Sequence, residues 1–348
     1  MELLIYGSYG YTGELIVQEA LARGLKPILA GRREAALRAQ AQPLGLAWRT
    51  ADLSAAALDA ALQGVAVVLH CAGPFSRTAK PMIEACIRNK AAYLDITGEI
   101  GVFELAAHFG PKAQAAGVTL LPGVGFDVVP SDCLAAHLKR RMPAAVHLAL
   151  GFQSNSKVSH GTASTMVENI EQGGAVRRDG KIVQVPAAFS QRTIDFGLGA
   201  TAAVTIPWGD VATAFHSTAI PNIEVFLALP AGARWGLRLS RYIKPLLAQK
   251  WVKARLQAKV DAAPSGPTPA QRARSRSFLW GEVTDAQGTK CVSRLQTPDG
   301  YTLTAVAAVA IAQFALAGKL PTGFQTPATA LGADFILTLP DTRRTDAA

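Results

Sequence analysis

Three glycines spaced three apart, Gly7, Gly10 and Gly13, follow the apolar run Leu3 to Tyr6 in the stretch LLIYGSYGYTG. A strand that ends on glycine and turns into a helix aims backbone N–H groups and the positive helix end at one spot, which suits a phosphate. There Gly7 permits a sharp bend, Gly10 lets the backbone approach a pyrophosphate, and Gly13 lets helix and strand pack closely. The dinucleotide fingerprint is G-x-G-x-x-G, whereas this run reads G-x-x-G-x-x-G. Spacing alone therefore leaves two readings: a phosphate cradle built from Gly7, Ser8, Tyr9, Gly10, Tyr11, Thr12 and Gly13, or a glycine turn with no ligand. A second stretch bears on the choice. About 20 residues after the glycines, an NAD site carries Asp or Glu for the ribose 2′-hydroxyl; this chain has Ala30-Gly31-Arg32-Arg33. Arg32 and Arg33 suit a 2′-phosphate, so the expected cofactor is NADP, with NAD disfavoured. Asp52, further on, has two readings, an adenine-side contact or a helix cap. No tyrosine has a lysine four residues on, which excludes the Tyr-x-x-x-Lys chemistry of short-chain dehydrogenases.

Such residues need a frame. From residue 2 to about 122, short apolar runs (ELLIY, PILAG, LAWRT, VAVVLHCAG, AAYLDIT, VTLLPG) alternate with helical patterns. Strict alternation predicts right-handed crossovers and a parallel sheet covered on both faces, an α/β fold of the doubly wound Rossmann type. Beyond residue 123 the rhythm changes. A helical SDCLAAHLKRRM precedes β-like HLALGF, a polar loop SNSKVSHGTAST, β-like TAAVTIPWG and IEVFLAL, and two strands joined by a DAQG turn. This predicts an α+β second domain with a mixed or antiparallel sheet, the boundary falling near residue 125. The uncharged, alanine-rich TLTAVAAVAIAQFALAG, residues 302–318, reads as a buried helix, since a membrane span needs about 20 strongly apolar residues.

The chain has 348 residues, 49% hydrophobic and 17% charged, a composition that suits two globular domains and excludes disorder. Six histidines without an HExxH and four scattered cysteines without a CxxC give no metal site and no disulfide framework. With no basic n-region ahead of the first strand, a cytoplasmic location is expected. The net charge of +10 is concentrated: residues 231–280 hold eleven basic side chains against the single acid Asp261, which matches the charge of the whole chain. The pattern over 234–260 suits an amphipathic helix broken or kinked at Pro245. Its plainest account is an apolar face covering the second domain with the basic face in water. Peripheral contact with an anionic membrane, or steering of an acidic or phosphopantetheine-linked acyl substrate, are the functional accounts. No nucleic-acid reading motif accompanies the charge, so nucleic acid is not an expected partner.

Three further motifs, CAGPF (71–75), YLDITGE (93–99) and LPGVGFDVVPSD (121–132), together with GSYGYTG, resemble the saccharopine dehydrogenase-like oxidoreductases. Within that group the chain is similar to the branch of the trans-acting enoyl reductases, a likeness that SHGTAST, WGEVTDAQG, PDGYTLTA and TPATALG extend across most of the sequence. The resemblance implies an NAD(P)-binding domain over 1–125, an α+β substrate and dimerisation domain over 126–300, and a C-terminal segment 301–348 that packs back on the first. By similarity, Cys71, Ala72, Gly73, Pro74 and Phe75 lie beside the ribose-nicotinamide end of the cofactor. Tyr93, Asp95, Gly98 and Glu99 map onto the family's Y-x-D-x-x-G-E motif, and Phe126 and Asp127 onto its hinge turn. Tyr93, Glu99 and Asp127 are the candidate proton donors; Asp95, Gly98, Phe126, His160 and Thr162 are the candidate substrate contacts. For Asp95 and Glu99 a helix-capping role competes, and for Asp127 a purely structural turn. Relatives usually carry G-A-T-G-[FY]-T-G in the glycine loop. Here Ser8 and Tyr9 depart from it, and the Tyr9 ring either stacks near the ribose or narrows the pocket. The implied activity is NADP-dependent hydride transfer to or from a C=C or C=N substrate in an interdomain cleft, enoyl reduction being one form. The alternative is an NADP(H)-binding regulator or scaffold without turnover. A homodimer is expected by analogy.

Overall fold

The structure, a computed structural model, describes residues 2–156, 159–168, 170 and 173–347. Its first unit runs through residues 1–129 and 301–331. Strands β1 (Glu2–Tyr6), β2 (Ile28–Gly31), β3 (Trp48–Thr50), β4 (Val65–His70), β5 (Ala92–Asp95) and β6 (Thr119–Leu121) alternate with helices α1 (Tyr11–Ala22), α2 (Glu34–Leu44), α3 (Ala55–Ala61), α4 (Phe75–Asn89) and α5 (Ile100–Ala115). Every pairing among these strands is parallel, as the alternation predicts. The strands are buried on both faces: Leu3, Leu4, Ile5, Val67, Val68 and Leu69 are all at or near zero exposure, because helices cover each side. Each such fully buried side chain contributes ~1.5–3 kcal/mol.

The second unit comprises residues 130–300 and 332–348. It contains α6 (Val129–Arg141), β7 (His147–Ser154), α7 (His160–Glu168), β8 (Gly174–Arg178), β9 (Lys181–Val185), β10 (Gln191–Asp195), β11 (Ala200–Thr205), α8 (Asp210–Thr218) and β12 (Asn222–Ala228). Then come α9 (Ala231–Ser240), α10 (Lys244–Leu247), α11 (Lys250–Asp261), α12 (Pro269–Arg274), β13 (Arg276–Thr284) and β14 (Lys290–Pro298). Its sheet runs β10-β11-β12-β7-β13-β14 and is antiparallel except where β12 lies parallel to β7. The predicted DAQG turn joins β13 to β14, with Asp285 Oδ1 accepting from the N–H groups of Gln287 and Thr289.

After β14 the chain re-enters the first unit through α13 (Gly300–Leu316), β15 (Gly323–Phe324) and α14 (Pro327–Leu331). Helix α13 is the predicted buried helix. Leu303 to Ala312 are buried without interruption, and Arg23 at the end of α1 donates to Gln313 Oε1 and Val306 O. No helix among the described residues is long and apolar enough to cross a membrane. Strand β15 extends the parallel sheet beside β6.

Three expectations need correction. The C-terminal segment does not stay with the first unit throughout. Residues from Gly332 onward group with the second, where β16 (Arg343–Asp346) pairs antiparallel with β14 and Arg140 and Arg344 both bind Asp334. The sequence SHGTAST is the start of α7 rather than a loop, with Ser159 Oγ accepting from Thr162 N–H; Lys157 and Val158 of that predicted loop lie outside the described residues. Finally, 234–260 forms three helices, because Pro245 falls in the first turn of a new one, where its missing N–H costs nothing. Their apolar side chains cover the domain only in part: Leu237, Leu247, Val252, Leu256 and Val260 are half-buried, whereas Trp235, Leu239, Tyr242, Ile243, Leu246 and Trp251 are exposed.

Candidate cofactor site

The parallel sheet has the order β15-β6-β5-β4-β1-β2-β3. Chain progression reverses between β1 and β4, so the loops leaving their carboxyl ends diverge and open a crevice, the place where ligands of doubly wound sheets bind. The glycine loop sits at that point. Gly7 has φ +83°, and a Cβ there would stand 2.8 Å from the Ala72 backbone nitrogen of the loop after β4. A Cβ on Gly13 would meet Gly7 O at 2.4 Å and Ser8 O at 2.8 Å, so helix α1 packs on the turn itself. Gly10 differs: an added Cβ would meet only Gly7 O, at an ordinary 3.4 Å. The helix ladder begins with Glu14 N–H to Gly10 O at 2.8 Å, which leaves the N–H groups of Thr12 and Gly13 ahead of it. The ground before Gly10 and the first turn of α1 thus fits an anionic phosphate. Ser8 is buried and locked by Gln40 of α2: Ser8 Oγ donates to Gln40 Oε1 at 2.8 Å, and Gln40 Nε2 donates to Ser8 O at 2.9 Å.

At the β2 end Tyr9 takes a defined place. Its ring covers Gly31, where a Cβ would stand 2.7 Å from Tyr9 Cε1, and its hydroxyl accepts from Arg32 N–H at 3.3 Å and Arg33 N–H at 3.4 Å. The Arg33 guanidinium lies 4.6 Å over the ring. These contacts hold the Tyr9 ring against the end of β2. Arg32 and Arg33 are exposed. Asp52 closes a turn ahead of α3: its Oδ1 accepts from Ser54 N–H and Ser54 Oγ, and those bonds hold its carboxyl below the usual carboxylate range. Beneath these loops, buried Tyr6 donates to Ala51 O, and burial pushes its phenol up to about 12.

The CAGPF stretch forms the loop after β4. Cys71 N–H donates to Tyr6 O at 2.7 Å, which fixes the loop beside β1, and burial pushes the Cys71 thiol up. A network behind it went unread in the sequence. Thr78 Oγ donates to Ala72 O at 2.8 Å, so toward His70 Nε2, 2.9 Å away, the hydroxyl acts as acceptor. His70 is therefore the neutral Nε2–H tautomer, in keeping with burial that lowers its pKa to about 3. Packed among Tyr6, Phe75 and Tyr93, it steadies the Ala72–Pro74 backbone through Thr78.

The loops after β5 and β6 complete the row. Tyr93, a candidate proton donor, is fully buried and donates its hydroxyl to Asp95 Oδ2 at 2.6 Å. Asp95, also fully buried, accepts through Oδ1 from Thr97 N–H at 3.0 Å and Gly123 N–H at 2.8 Å. Burial raises its pKa to about 6, against the pull of those bonds. These bonds make it a bracket between the loops after β5 and β6. Glu99 also departs from the expected role. Its Oε1 accepts from Phe75 N–H at 2.8 Å and its Oε2 from Ser76 N–H at 2.9 Å, so both oxygens cap α4. That cap explains why α4 starts at Phe75, ahead of the KPMIEACIRN that reads as a helix in the sequence. Replacing Glu99 by Gln is expected to cost about 1–2 kcal/mol of stability by urea denaturation, with turnover changed only a few-fold. A proton donor at Glu99 would show the opposite split, turnover down about a hundredfold or more at unchanged stability.

Asp127 remains. Its carboxylate lies against Gly98, where a Cβ would come within 2.8 Å of Asp127 Oδ2, so glycine is required for the approach. The side chain is half-buried, and desolvation raises its pKa to about 7. The turn carrying it is held by α13: Phe126 N–H donates to Thr304 Oγ1 at 3.0 Å, and Gly125 packs on the same threonine. His160 and Thr162 belong to the second unit. His160 N–H donates to Ser265 O and its Nε2 meets Ala263 O, while Thr162 sits in the first turn of α7. Gln40, Thr78 and Thr304 are the positioning residues the sequence did not disclose. Gln40 and Thr304 act across long separations and Thr78 within its own loop and helix, and none of the three carries a sequence signal of its role.

Residues 3–121 match the family model of the saccharopine dehydrogenase NADP-binding domain. The human saccharopine dehydrogenase-like oxidoreductase is 29% identical over 161 residues, 40% of this chain and 38% of that protein. A trans-acting enoyl reductase of Mycobacterium ulcerans is 31% identical over 183 residues, 48% of this chain and 44% of that protein. The matched stretches thus span less than half the length of these relatives. Apo saccharopine dehydrogenase (L-Glu forming) of Saccharomyces cerevisiae superposes with a TM-score of 0.65 over all of both chains at 12% identity, a likeness of fold. With its glycine cradle, its crevice between β1 and β4 and these matches, the first unit is similar to the NADP-binding domain of the saccharopine dehydrogenases and their oxidoreductase relatives.

Proposed function

We propose that the chain is an NADP-dependent oxidoreductase acting on a C=C or C=N substrate, with enoyl reduction as the favoured form. One observation carries the proposal: the loops after β2, β1, β4 and β6 line one edge of the sheet in the order a dinucleotide and its reaction partner require. Arg32 and Arg33 meet the 2′-phosphate, Gly10 and the first turn of α1 the pyrophosphate, and Ala72 to Phe75 the nicotinamide side. When bound, the dinucleotide supplies or takes up the hydride. The chain's part is to orient the loops through Gln40, Thr78 and Thr304 and to move one proton. Reduction of a C=C or C=N bond needs a proton on the atom next to the one receiving hydride, and Asp127 is the group proposed to give it. Tyr93 is fully buried and both Glu99 oxygens cap α4, whereas Asp127 is partly exposed, with its pKa raised to about 7.

Titration with NADPH and NADH, repeated on Arg32→Asp, tests the cofactor choice. A charge-assisted bond of ~1.5–3 kcal/mol predicts roughly ten- to a hundredfold preference for NADPH, lost or inverted in the variant. Equal affinities in both proteins would remove the 2′-phosphate argument. A second reading, an NADP(H)-binding regulator without turnover, draws on the engagement of Tyr93 and Glu99 in internal bonds. A screen of enoyl and imine compounds separates the two, since NADPH oxidation with any of them rules out the regulator.

A further inference from the structure

The charge surplus and the exposed apolar surface of the second unit coincide. Six large apolar side chains, Trp235, Leu239, Tyr242, Ile243, Leu246 and Trp251, are exposed within α9, α10, α11 and their connections, with Trp235 and Trp251 at 63% and Tyr242 at 77%. Isolated exposed hydrophobics are ordinary, but a cluster of this size marks a binding surface. The helices divide by face. On α11, Val252, Lys253, Leu256, Gln257 and Val260 form the half-buried side, with Gln257 donating to Ser164 Oγ and Lys253 to Glu168 O of α7. The opposite side presents Lys250, Trp251, Ala254, Arg255, Ala258 and Lys259 to solvent. An aromatic ring thus stands among three cations, with small residues between.

Four of the guanidinium groups are held by uncharged acceptors. Arg234 donates to Leu229 O, Arg238 to Gln191 Oε1, Arg241 to Ala187 O, and Arg276 to Ala273 O and Ser275 O, all of them uncharged acceptors. These bonds hold the guanidinium groups in place and leave their charge to the surface. An occupant must therefore be both negative and apolar behind its negative layer. Duplex nucleic acid offers phosphates but no apolar bed for Leu239, Ile243 and Leu246. A second copy in a two-fold dimer would set one basic face on another, a like-charge apposition. A bilayer rich in anionic lipid meets both demands, with headgroup phosphates for Lys and Arg and the interfacial region for Trp and Tyr.

We infer that the segment 231–261 is an attachment face for an anionic lipid surface, with α9 to α11 lying in the interface plane. The surface holds the chain peripherally; no helix enters as a span. The attachment is independent of the dinucleotide reading, because every residue it uses lies in the second unit. The test is flotation of the full chain with vesicles of phosphatidylcholine alone and of phosphatidylcholine with phosphatidylglycerol. Flotation is expected with the anionic vesicles only and should be reversed by high salt. The combined change Lys250→Gln, Arg255→Gln and Lys259→Gln should lower partitioning on the order of a hundredfold, at about 1 kcal/mol per charge. The combined change Trp235→Ser, Tyr242→Ser and Trp251→Ser should lower it at least about tenfold. All six side chains are exposed, and an unchanged NADPH affinity with an unchanged circular dichroism spectrum confirms that each variant folds. Three results overturn the inference: equal flotation with neutral vesicles, absence of flotation at low salt, or full partitioning of the charge variant. A dimer in sedimentation that the aromatic variant dissolves, without vesicle binding, would assign the face to a second copy. A shift of a mixed-sequence duplex without vesicle binding would assign it to nucleic acid.

Discussion

Gly10→Ala is expected to weaken NADPH binding about a hundredfold while moving Tm by no more than about 3 °C. The contrast with its neighbour makes the experiment decisive. At Gly10 an added Cβ has room within the protein, since its one close neighbour is Gly7 O at 3.4 Å, and the backbone is in the extended region at φ −77°. The methyl group would fill only the ground where a pyrophosphate must come close to the backbone. At Gly13 the methyl group would strike Gly7 O at 2.4 Å and Ser8 O at 2.8 Å, both backbone atoms that cannot swing aside. The turn cannot yield either, because Gly7 N–H is bonded to Ala30 O at 2.7 Å and Ser8 is clamped by Gln40. Gly13→Ala is thus expected to lose stability and binding together. A ligand-free glycine turn makes a different forecast: Gly10→Ala would leave NADPH titrations unchanged. Isothermal titration and thermal melts on the two variants separate the alternatives.

The frame of this site is legible in the sequence because it rests on local patterning. Alternation of apolar runs with helical spacing is enough to give the parallel sheet, and glycine spacing marks the turn after β1. The roles of Tyr93, Asp95 and Glu99 are not legible, because each depends on a partner brought in by the topology. Glu99 caps a helix that begins 24 residues earlier in the chain, and Asp95 holds a glycine 28 residues later. In a one-dimensional pattern, a carboxylate that braces two loops looks the same as one that delivers a proton. Tyr9 shows the same limit from the other side. Its bulk raises the question of an obstructed pocket, and only the emptiness of Gly31 explains where the ring goes. The segment 234–260 exposes the reverse error: helical spacing of apolar residues suggests a covered face, yet periodicity does not say what lies opposite. Three short helices that leave Trp235, Leu239, Leu246 and Trp251 in solvent give the same pattern as one that buries its apolar face.

Asp127→Asn is expected to lower turnover by about 10²–10⁴-fold and to remove the alkaline limb of the pH profile. A donor must hold its proton, and with a pKa near 7 Asp127 holds it in acid and loses it above neutrality. Wild-type turnover of a substrate found in the screen should thus be level below pH 6 and fall about tenfold per pH unit well above 7. The Asn variant should be slow and level throughout. Stability supplies a readout that does not need a substrate. Desolvation raises the carboxyl above its ordinary value in the folded chain, so the folded state favours the protonated form. Below about pH 4 both states are protonated and the group is neutral in its effect. As pH rises toward 7 the unfolded chain ionises first, and the folded state loses relative stability until the folded carboxyl ionises as well. The neutral amide escapes that loss. Asp127→Asn should accordingly melt with the wild type near pH 3 and on the order of 10 °C above it at pH 8, a rise from the usual carboxylate value to about 7 being worth roughly 4 kcal/mol. A variant that melts lower at pH 8 would show that the ionised carboxylate is held by a partner, and Asp127 would then be a brace like Asp95 and Glu99. A higher melting point together with the lost alkaline limb would identify a destabilised acid retained for its proton. The carboxyl held against Gly98 would then be the group that completes reduction of the substrate.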